Sequence, residues 1–148
     1  MKKFYEKKAI SQQVVMRMLE AACQKAEELG IRVNVAITDD GGNLKGFIRM
    51  DGAPLLSSEI SQNKAYTASA FGIPTSEWYP LIKNQPELLH GIVHTPKLTI
   101  FGGGVPIYIE DQLAGGIGVS GGSAEQDMVC AEAAFAVWNP SWTGGEER

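Results

Sequence analysis

Apolar residues recur at helical spacing near the start of the chain and then switch to strict alternation. Between residues 11 and 29 they fall on one stripe of period 3.6, and Ser11 is placed to cap the predicted helix. At 31–37 every second residue is apolar, which predicts a half-buried strand. Turn-forming residues at 39–43 lead into a second predicted strand at 44–50. Two strands joined this closely must pair antiparallel.

The remaining pattern predicts further helices, then three more strands and a last helix. A helix rich in small residues is expected from Ser57 or Ser58 to Phe71, and a shorter one over 76–84, followed by a loop and a helical turn over 85–97. The expected strands are 98–101, 105–109 and 113–120, and a capping box at Ser123 and Gln126 opens the helix that runs to about Trp138. This order is typical of an α+β fold with a mostly antiparallel, five-stranded sheet and helices on its faces.

Composition narrows the classes of function. The chain has 148 residues, which suits one domain, and its net charge of −4 gives no electrostatic footprint for nucleic acid. No apolar run is long enough for a membrane span, and no apolar segment of a signal peptide follows the first lysines, so we expect a cytoplasmic protein with no membrane partner. Cys23 and Cys130 lie among alanines and predict small buried apolar residues in a reducing compartment, with a disulfide or metal pair as the alternative.

The stretch AGGIGVSGGSAEQD at 114–127 matches two catalytic patterns at once. Gly116 to Gly121 fits G-x-G-x-x-G, but a dinucleotide site needs a second strand after the helix, and the helix expected here ends close to the end of the sequence. Gly118 to Gly122 fits G-x-S-x-G, but the hydrolase order needs a histidine after the serine, and both histidines precede it. We therefore interpret these glycines as structural, marking a bulge or a close approach by backbone or ligand.

The residues before the last predicted helix have two open interpretations. Gly121, Gly122 and Ser123 lie at a helix N-terminus, where free N–H groups and the macrodipole favour an anion. Alternatively, Ser123 and Gln126 satisfy those donors within the chain.

Five motifs occur together in an order that is specific to one known family. They are Met50-Asp-Gly-Ala53, Ser58-Glu-Ile-Ser-Gln-Asn-Lys-Ala65, Gly103-Gly-Val-Pro-Ile107, Gly115-Gly-Ile-Gly-Val-Ser-Gly121, and Gln126-Asp127 with Cys130-Ala131. With these motifs the chain resembles the GlcG/HbpS family of haem-binding-like proteins, which is also similar to the C-terminal domain of PduO-type corrinoid adenosyltransferases. The resemblance covers a core of about 9–138, leaving tails at 1–8 and 139–148.

The resemblance implies a profilin-like α/β/α sandwich with a five-stranded antiparallel sheet. It implies homo-oligomers, haem or corrinoid as cofactor, and a place near the catabolism of glycolate, glycerol or diols. It directs attention to residues at the family's motif positions, which are Asp51, Glu59, Lys64, Gly103, Gly104, Gly121 and Asp127. Among these, Gly103, Gly104, Gly121 and Lys64 are expected to contact the ligand, together with Gly122 and Ser123 at the predicted helix start.

Two groups of titratable side chains are candidates for chemistry. Lys64 lies in mid-helix, so its ammonium must reach water or pair with a carboxylate, with Glu59 and Asp127 as candidate partners, or else receive a ligand carboxylate such as a propionate. His90 and His94 are four residues apart and, with Glu87, could bind a divalent metal or one axial position of haem if a helix forms there. The alternative is two exposed loop histidines.

Three functions follow from this sequence. The first is a cytoplasmic, oligomeric protein that binds a tetrapyrrole or related small ligand, with an accessory metabolic role. The second is an enzyme acting on a small polar metabolite, with acid–base groups at a subunit interface: Asp51, Glu59, Lys64 and Asp127. The third is an assembly component with no ligand of its own.

Overall fold

The structure is a computed structural model, and it describes residues 1–138; the predicted tail at 139–148 lies outside them. This part of the chain contains five α-helices and four strands. The helices are α1 (Gln12–Glu28), α2 (Leu56–Phe71), α3 (Trp78–Ile82), α4 (Pro86–Gly91) and α5 (Ala124–Ala133). The strands are β1 (Asn34–Asp39), β2 (Leu44–Arg49), β3 (Gly104–Ile109) and β4 (Gln112–Ser120). Short 3₁₀ helices occupy Thr75–Glu77, Ile92–His94 and Ala134–Trp138.

The four strands form one antiparallel sheet in the order β2-β1-β4-β3. The predicted α+β class is confirmed, but the predicted count of five strands is wrong for the described residues. The segment 98–101 forms no strand, because its backbone bonds elsewhere: the Thr99 N–H donates to Thr67 Oγ1 on α2 at 3.0 Å. A side chain of the helix thus takes the place of a neighbouring strand.

The apolar core lies on one face of the sheet, under α1 and α5. Strand register places Val35 opposite Val119 and Ile37 opposite Ile117, so these alternate residues share that face. All four are fully buried, as is Met18 from the predicted stripe of α1. Each large side chain buried in this way stabilises the fold by about 1.5–3 kcal/mol.

Helix α2 packs directly on the opposite face, where β4 carries glycines. A Cβ at Gly118 would lie 2.5 Å from the backbone nitrogen of Ala65 and would also meet the carbonyl of Ser61. A Cβ at Gly116 would lie 2.9 Å from the backbone nitrogen of Ser69. The glycines therefore allow helix and strand backbones to touch, and the sheet lies between α2 on one side and α1 with α5 on the other.

None of the helices within residues 1–138 combines the length and apolar character needed to cross a lipid bilayer.

Candidate functional site

Lys64 and Asp127 form a buried ion pair at the end of the sheet where β4 stops and β3 begins. The Lys64 Nζ lies 3.0 Å from Asp127 Oδ2 and donates to the carbonyl of Val119 at 2.7 Å. The second carboxylate oxygen, Asp127 Oδ1, accepts from the Gly122 N–H at 2.9 Å. The two side chains are only 1% and 3% exposed. Of the two partners predicted for Lys64, the structure therefore supplies Asp127.

An aromatic ring covers the free side of the ammonium. Lys64 Nζ lies 5.2 Å from the ring centroid of Phe101, within range of a cation–π interaction. Phe101 is itself 51% exposed, so its ring separates the buried charge from solvent. Burial lowers the pKa of Lys64 below its ordinary value of 10.5, while the charge of Asp127 and its hydrogen bond act to raise it.

The glycines predicted to contact a ligand lie against the protein's own atoms. Gly103 has φ of +125°, and a Cβ there would lie 2.6 Å from Lys64 Nζ. A Cβ at Gly104 would lie 2.6 Å from the carbonyl oxygen of Lys64, and one at Gly121 would lie 2.8 Å from the Cα of Val33. These glycines thus admit the lysine and neighbouring backbone, and a direct ligand contact through them stays a prediction.

The N-terminus of α5 satisfies several of its own donors. Ser123 Oγ accepts from the Gln126 N–H at 3.1 Å, and Gln126 Oε1 accepts from the Ser123 N–H at 3.0 Å, which completes the predicted capping box. The preceding N–H, that of Gly122, is bound by Asp127. These contacts agree with the second interpretation of this segment, in which Ser123 and Gln126 satisfy the donors within the chain.

An apolar cleft of about 600 Å³ opens beside the ion pair, and we call it the Phe101 cleft. It lies between α3, the segment before β3 and the first two turns of α5. Its principal lining residues are Tyr79, Pro80, Ile100, Phe101, Gly102 and Met128. Its volume falls within the roughly 300–1,000 Å³ that is typical of small-molecule sites. Phe101 therefore lines the cleft and also contacts the Lys64 ammonium through its ring.

Sequence reasoning placed the site close to this cleft but missed its walls. Of the residues that line the cleft, only Gly102 adjoins the predicted glycines, and neither Tyr79 nor Phe101 is among the predicted site residues. The available signal was the position of Phe101 at the end of the apolar run 98–101, directly before three glycines.

The other predicted acid–base residues do not join Lys64. Asp51 and Glu59 are both exposed, and Glu59 faces a different cleft, between the β1–β2 turn and α2. His90 ends up in α4 and His94 in the 3₁₀ turn after it, and both are exposed. Within residues 1–138 no three His, Cys, Asp or Glu side chains are grouped to hold a metal ion, so Glu87 does not complete a site with the histidines.

Both cysteines are free thiols in the packed region between α1 and α5. Burial raises the pKa of Cys23 to about 11, with a smaller contribution from Glu27. Burial likewise raises the pKa of Cys130 to about 11, helped by the charge of Asp127. They are therefore protonated at neutral pH and pack as small apolar residues.

Known proteins resemble this chain along most of its length. The family model described as "Haem degrading protein HbpS-like" matches residues 10–136. The corrinoid adenosyltransferase PduO of Citrobacter freundii is 39% identical over 132 residues, which are 88% of this chain but only 39% of that protein. Protein GlcG of Escherichia coli strain K12 is 35% identical over 111 residues, covering 75% of this chain and 81% of GlcG.

Solved structures show the same arrangement. Protein ORFY of Klebsiella pneumoniae superposes with a TM-score of 0.88 at 34% identity, covering 95% of this chain and 97% of ORFY. The PduOC:heme complex superposes with a TM-score of 0.81 at 37% identity, covering 88% of this chain and 96% of PduOC.

Proposed function

This chain belongs to the HbpS-like family, and we propose that it binds a tetrapyrrole of the haem or corrinoid type in the Phe101 cleft. The observation that carries the proposal is the cleft itself, which has a volume of about 600 Å³ and lies beside a buried cation. Its lining is mostly aromatic and aliphatic, with Ser76 and Glu125 as the polar members. The similar PduOC, whose structure is a haem complex, supports the choice of ligand class.

The cleft residues fit such a ligand chemically. A tetrapyrrole offers broad apolar faces, which the ring of Phe101 and the side chains of Pro80 and Ile100 can cover. Tyrosine and methionine both serve as axial ligands of haem iron, and the cleft contains Tyr79 and Met128. The bound group would supply the metal and its redox chemistry, while this chain would hold it and limit the access of water.

Lys64 then acts through Phe101. Its ammonium is already occupied by Asp127 and by the Val119 carbonyl, and its remaining side faces the Phe101 ring. We therefore assign Lys64 to positioning the aromatic wall. Direct reception of a ligand propionate would require Phe101 to move.

The wider setting is part of the same proposal. We infer a cytoplasmic homo-oligomer with an accessory role in glycolate, glycerol or diol catabolism, built as a single domain of profilin-like type. Helices on both faces of an antiparallel sheet support that fold description. Leu55 and Leu56 are 74% and 75% exposed at the start of α2, and such adjacent apolar side chains suit a contact between subunits.

The test is titration of the purified protein with haemin and, separately, with cobalamin, followed by absorption spectroscopy. Phe101→Ala should weaken binding at least about tenfold, which corresponds to about 1.4 kcal/mol. Phe4→Ala is the matched control, because Phe4 is 77% exposed and does not line the cleft. Equal binding by the two variants, or no spectral change with either ligand, would overturn the proposal.

A second set of variants addresses the axial ligand. Met128→Leu or Tyr79→Phe should shift the Soret band of bound haemin if that residue contacts the iron. Met16→Leu, an exposed methionine on α1, is the control for Met128. A shift caused only by His90→Ala or His94→Ala would place the iron at the histidines and away from the Phe101 cleft.

A further inference from the structure

A second cleft, of about 390 Å³, lies between the β1–β2 turn and the exposed face of α2. Unlike the Phe101 cleft it is lined largely by polar side chains, and we call it the polar cleft. Four of these come from α2 at intervals of three and four residues, which places them on one helix face: Glu59, Gln62, Asn63 and Tyr66. The rest of the polar lining comes from Thr38 on β1, Asn43 in the turn and Lys97.

The turn that forms one wall of the polar cleft is held firmly. Asp39 Oδ1 accepts from the Gly41 N–H at 2.9 Å and from the Asn43 N–H at 3.0 Å. Gly42 has φ of +81°, and a Cβ there would lie 2.8 Å from the ring of Tyr66. The turn backbone therefore rests directly on the aromatic ring, which fixes the wall against the helix.

Lys97 occupies a left-handed backbone conformation with φ of +67°, which is costly for a residue with a side chain. Thr67 on α2 holds it there: its Oγ1 donates to the Lys97 carbonyl at 2.9 Å and accepts from the Thr99 N–H at 3.0 Å. The result is an ammonium 5.0 Å from the ring centroid of Tyr66, at the rim of the polar cleft. The hydrogen bond from Thr67 on α2 thus holds the Lys97 backbone in its left-handed conformation, and the Lys97 ammonium lies at the rim of the polar cleft.

Several polar groups of the polar cleft have no protein partner in the described part of the chain. The carboxylate of Glu59 and the amide of Asn63 make no hydrogen bond or ion pair with residues 1–138, and the Lys97 ammonium meets only the ring. The Gln62 amide nitrogen donates one hydrogen bond, to the Ser58 carbonyl, and the Gln62 amide oxygen accepts none from residues 1–138. The cleft therefore offers one cation, one anion and amide groups that each combine donor and acceptor.

We propose that the polar cleft binds a small open-chain carboxylate that carries several hydroxyl groups. The ligand carboxylate pairs with Lys97, and its hydroxyls, which both donate and accept, match the amides of Gln62 and Asn63. A terminal hydroxyl donates to Glu59. Seven residues separate Glu59 from Tyr66, a rise of about 10 Å along the helix, and after allowing for side-chain reach this suits a chain of about five or six carbons.

The test uses three probes of matched length: gluconate, sorbitol, which lacks the carboxylate, and hexanoate, which lacks the hydroxyls. Titration followed by two-dimensional amide NMR should show gluconate binding at least about tenfold more tightly than either of the others. The shifted amides should be those around Asn43, Asn63 and Lys97. No gluconate binding at about 10 mM, or equal binding of all three probes, would overturn the inference.

Variants assign the binding to this cleft. Lys97→Asn keeps a residue that tolerates the left-handed conformation and should weaken gluconate about tenfold or more, with sorbitol unaffected. Lys83→Asn, at an exposed lysine outside the polar cleft, should change nothing. Phe101→Ala should leave gluconate binding intact, which keeps this result independent of the proposed tetrapyrrole site. Undiminished binding in Lys97→Asn would place gluconate elsewhere.

Discussion

The buried Lys64–Asp127 pair permits a double-substitution test of how the wall behind the Phe101 cleft is held together. Lys64→Met keeps most of the aliphatic stem, and Asp127→Asn keeps an oxygen that can accept from the Gly122 N–H. Each single substitution leaves one charge buried without its counter-charge, whereas the double variant contains neither charge. We therefore expect the double variant to be less destabilised than the sum of the two single variants.

The magnitudes follow from the burial of the pair. With side chains 1% and 3% exposed, solvent offers little compensation, and removing one partner should cost about 3–5 kcal/mol of the free energy of unfolding. Independent effects would sum to about 6–10 kcal/mol. The double variant should lose only about 2–4 kcal/mol, because it forfeits the hydrogen bond to Val119 and some packing but strands no charge.

Urea unfolding of the four proteins at pH 7, followed by circular dichroism, measures these energies, with equal m-values as the check on two-state behaviour. Additivity within about 0.5 kcal/mol would refute the coupling. Thermal melting of the same proteins shows whether the single variants still fold.

The same variants give a pH dependence. Because burial lowers the pKa of Lys64 from 10.5, the unfolded chain binds this proton more tightly than the folded protein. The contribution of Lys64 to stability therefore rises as the pH rises through its folded-state pKa towards 10.5. The Asp127→Asn variant lacks the carboxylate that opposes the lowering of the Lys64 pKa. The stability of this variant should therefore rise more steeply above pH 7 than the stability of the double variant, which lacks Lys64 as well. Parallel curves would contradict the assigned cause.

Three further substitutions or treatments test other parts of the structure. Gly118→Ala should lower the free energy of unfolding in urea by about 3 kcal/mol, because a methyl group at this position meets the backbone of α2. Gly91→Ala is the control, since Gly91 has open space around it, and it should change that free energy by no more than about 0.5 kcal/mol. Ser123→Ala should cost about 1 kcal/mol by the same assay, since it removes one half of a capping box; no loss would mean that the cap is dispensable. Cys23 and Cys130 should resist iodoacetamide at pH 8 in the native protein and react in urea, as followed by mass spectrometry, because burial raises each thiol pKa to about 11.

Local signals predicted most elements of the fold. The helix expected over 11–29 is Gln12–Glu28, and its cap is the predicted Ser11, whose hydroxyl accepts from the Val14 N–H. The hairpin of β3 and β4 lies within one residue of its predicted bounds. These features depend on residues that are close in sequence, so their patterns carry the necessary information.

The failures have a common physical origin in long-range partners. The short apolar run at 98–101 fits a strand, but a strand needs a neighbour, and here the neighbour is Thr67 of a helix 32 residues away. The choice between Glu59 and Asp127 as the partner of Lys64 likewise depended on tertiary packing across 63 residues. The sequence marks Phe101 only as an aromatic residue before three glycines, and the contact of its ring with the Lys64 ammonium appears only in the folded structure.

The glycines of β4 link the packing of the fold to its cleft. Because Gly116 and Gly118 lack side chains, the backbone of α2 lies directly on the sheet. Lys64 directly precedes Ala65 and follows Ser61 by three residues, and both of these contact Gly118. The close approach therefore brings the Lys64 ammonium within reach of the carbonyl of Val119 and the carboxylate on α5. The buried charge in turn attracts the ring that walls the cleft. The glycine pattern, which resembles two catalytic motifs, is therefore better explained by packing. It allows α2 to lie so close to β4 that Lys64 reaches both the Val119 carbonyl and Asp127 on α5.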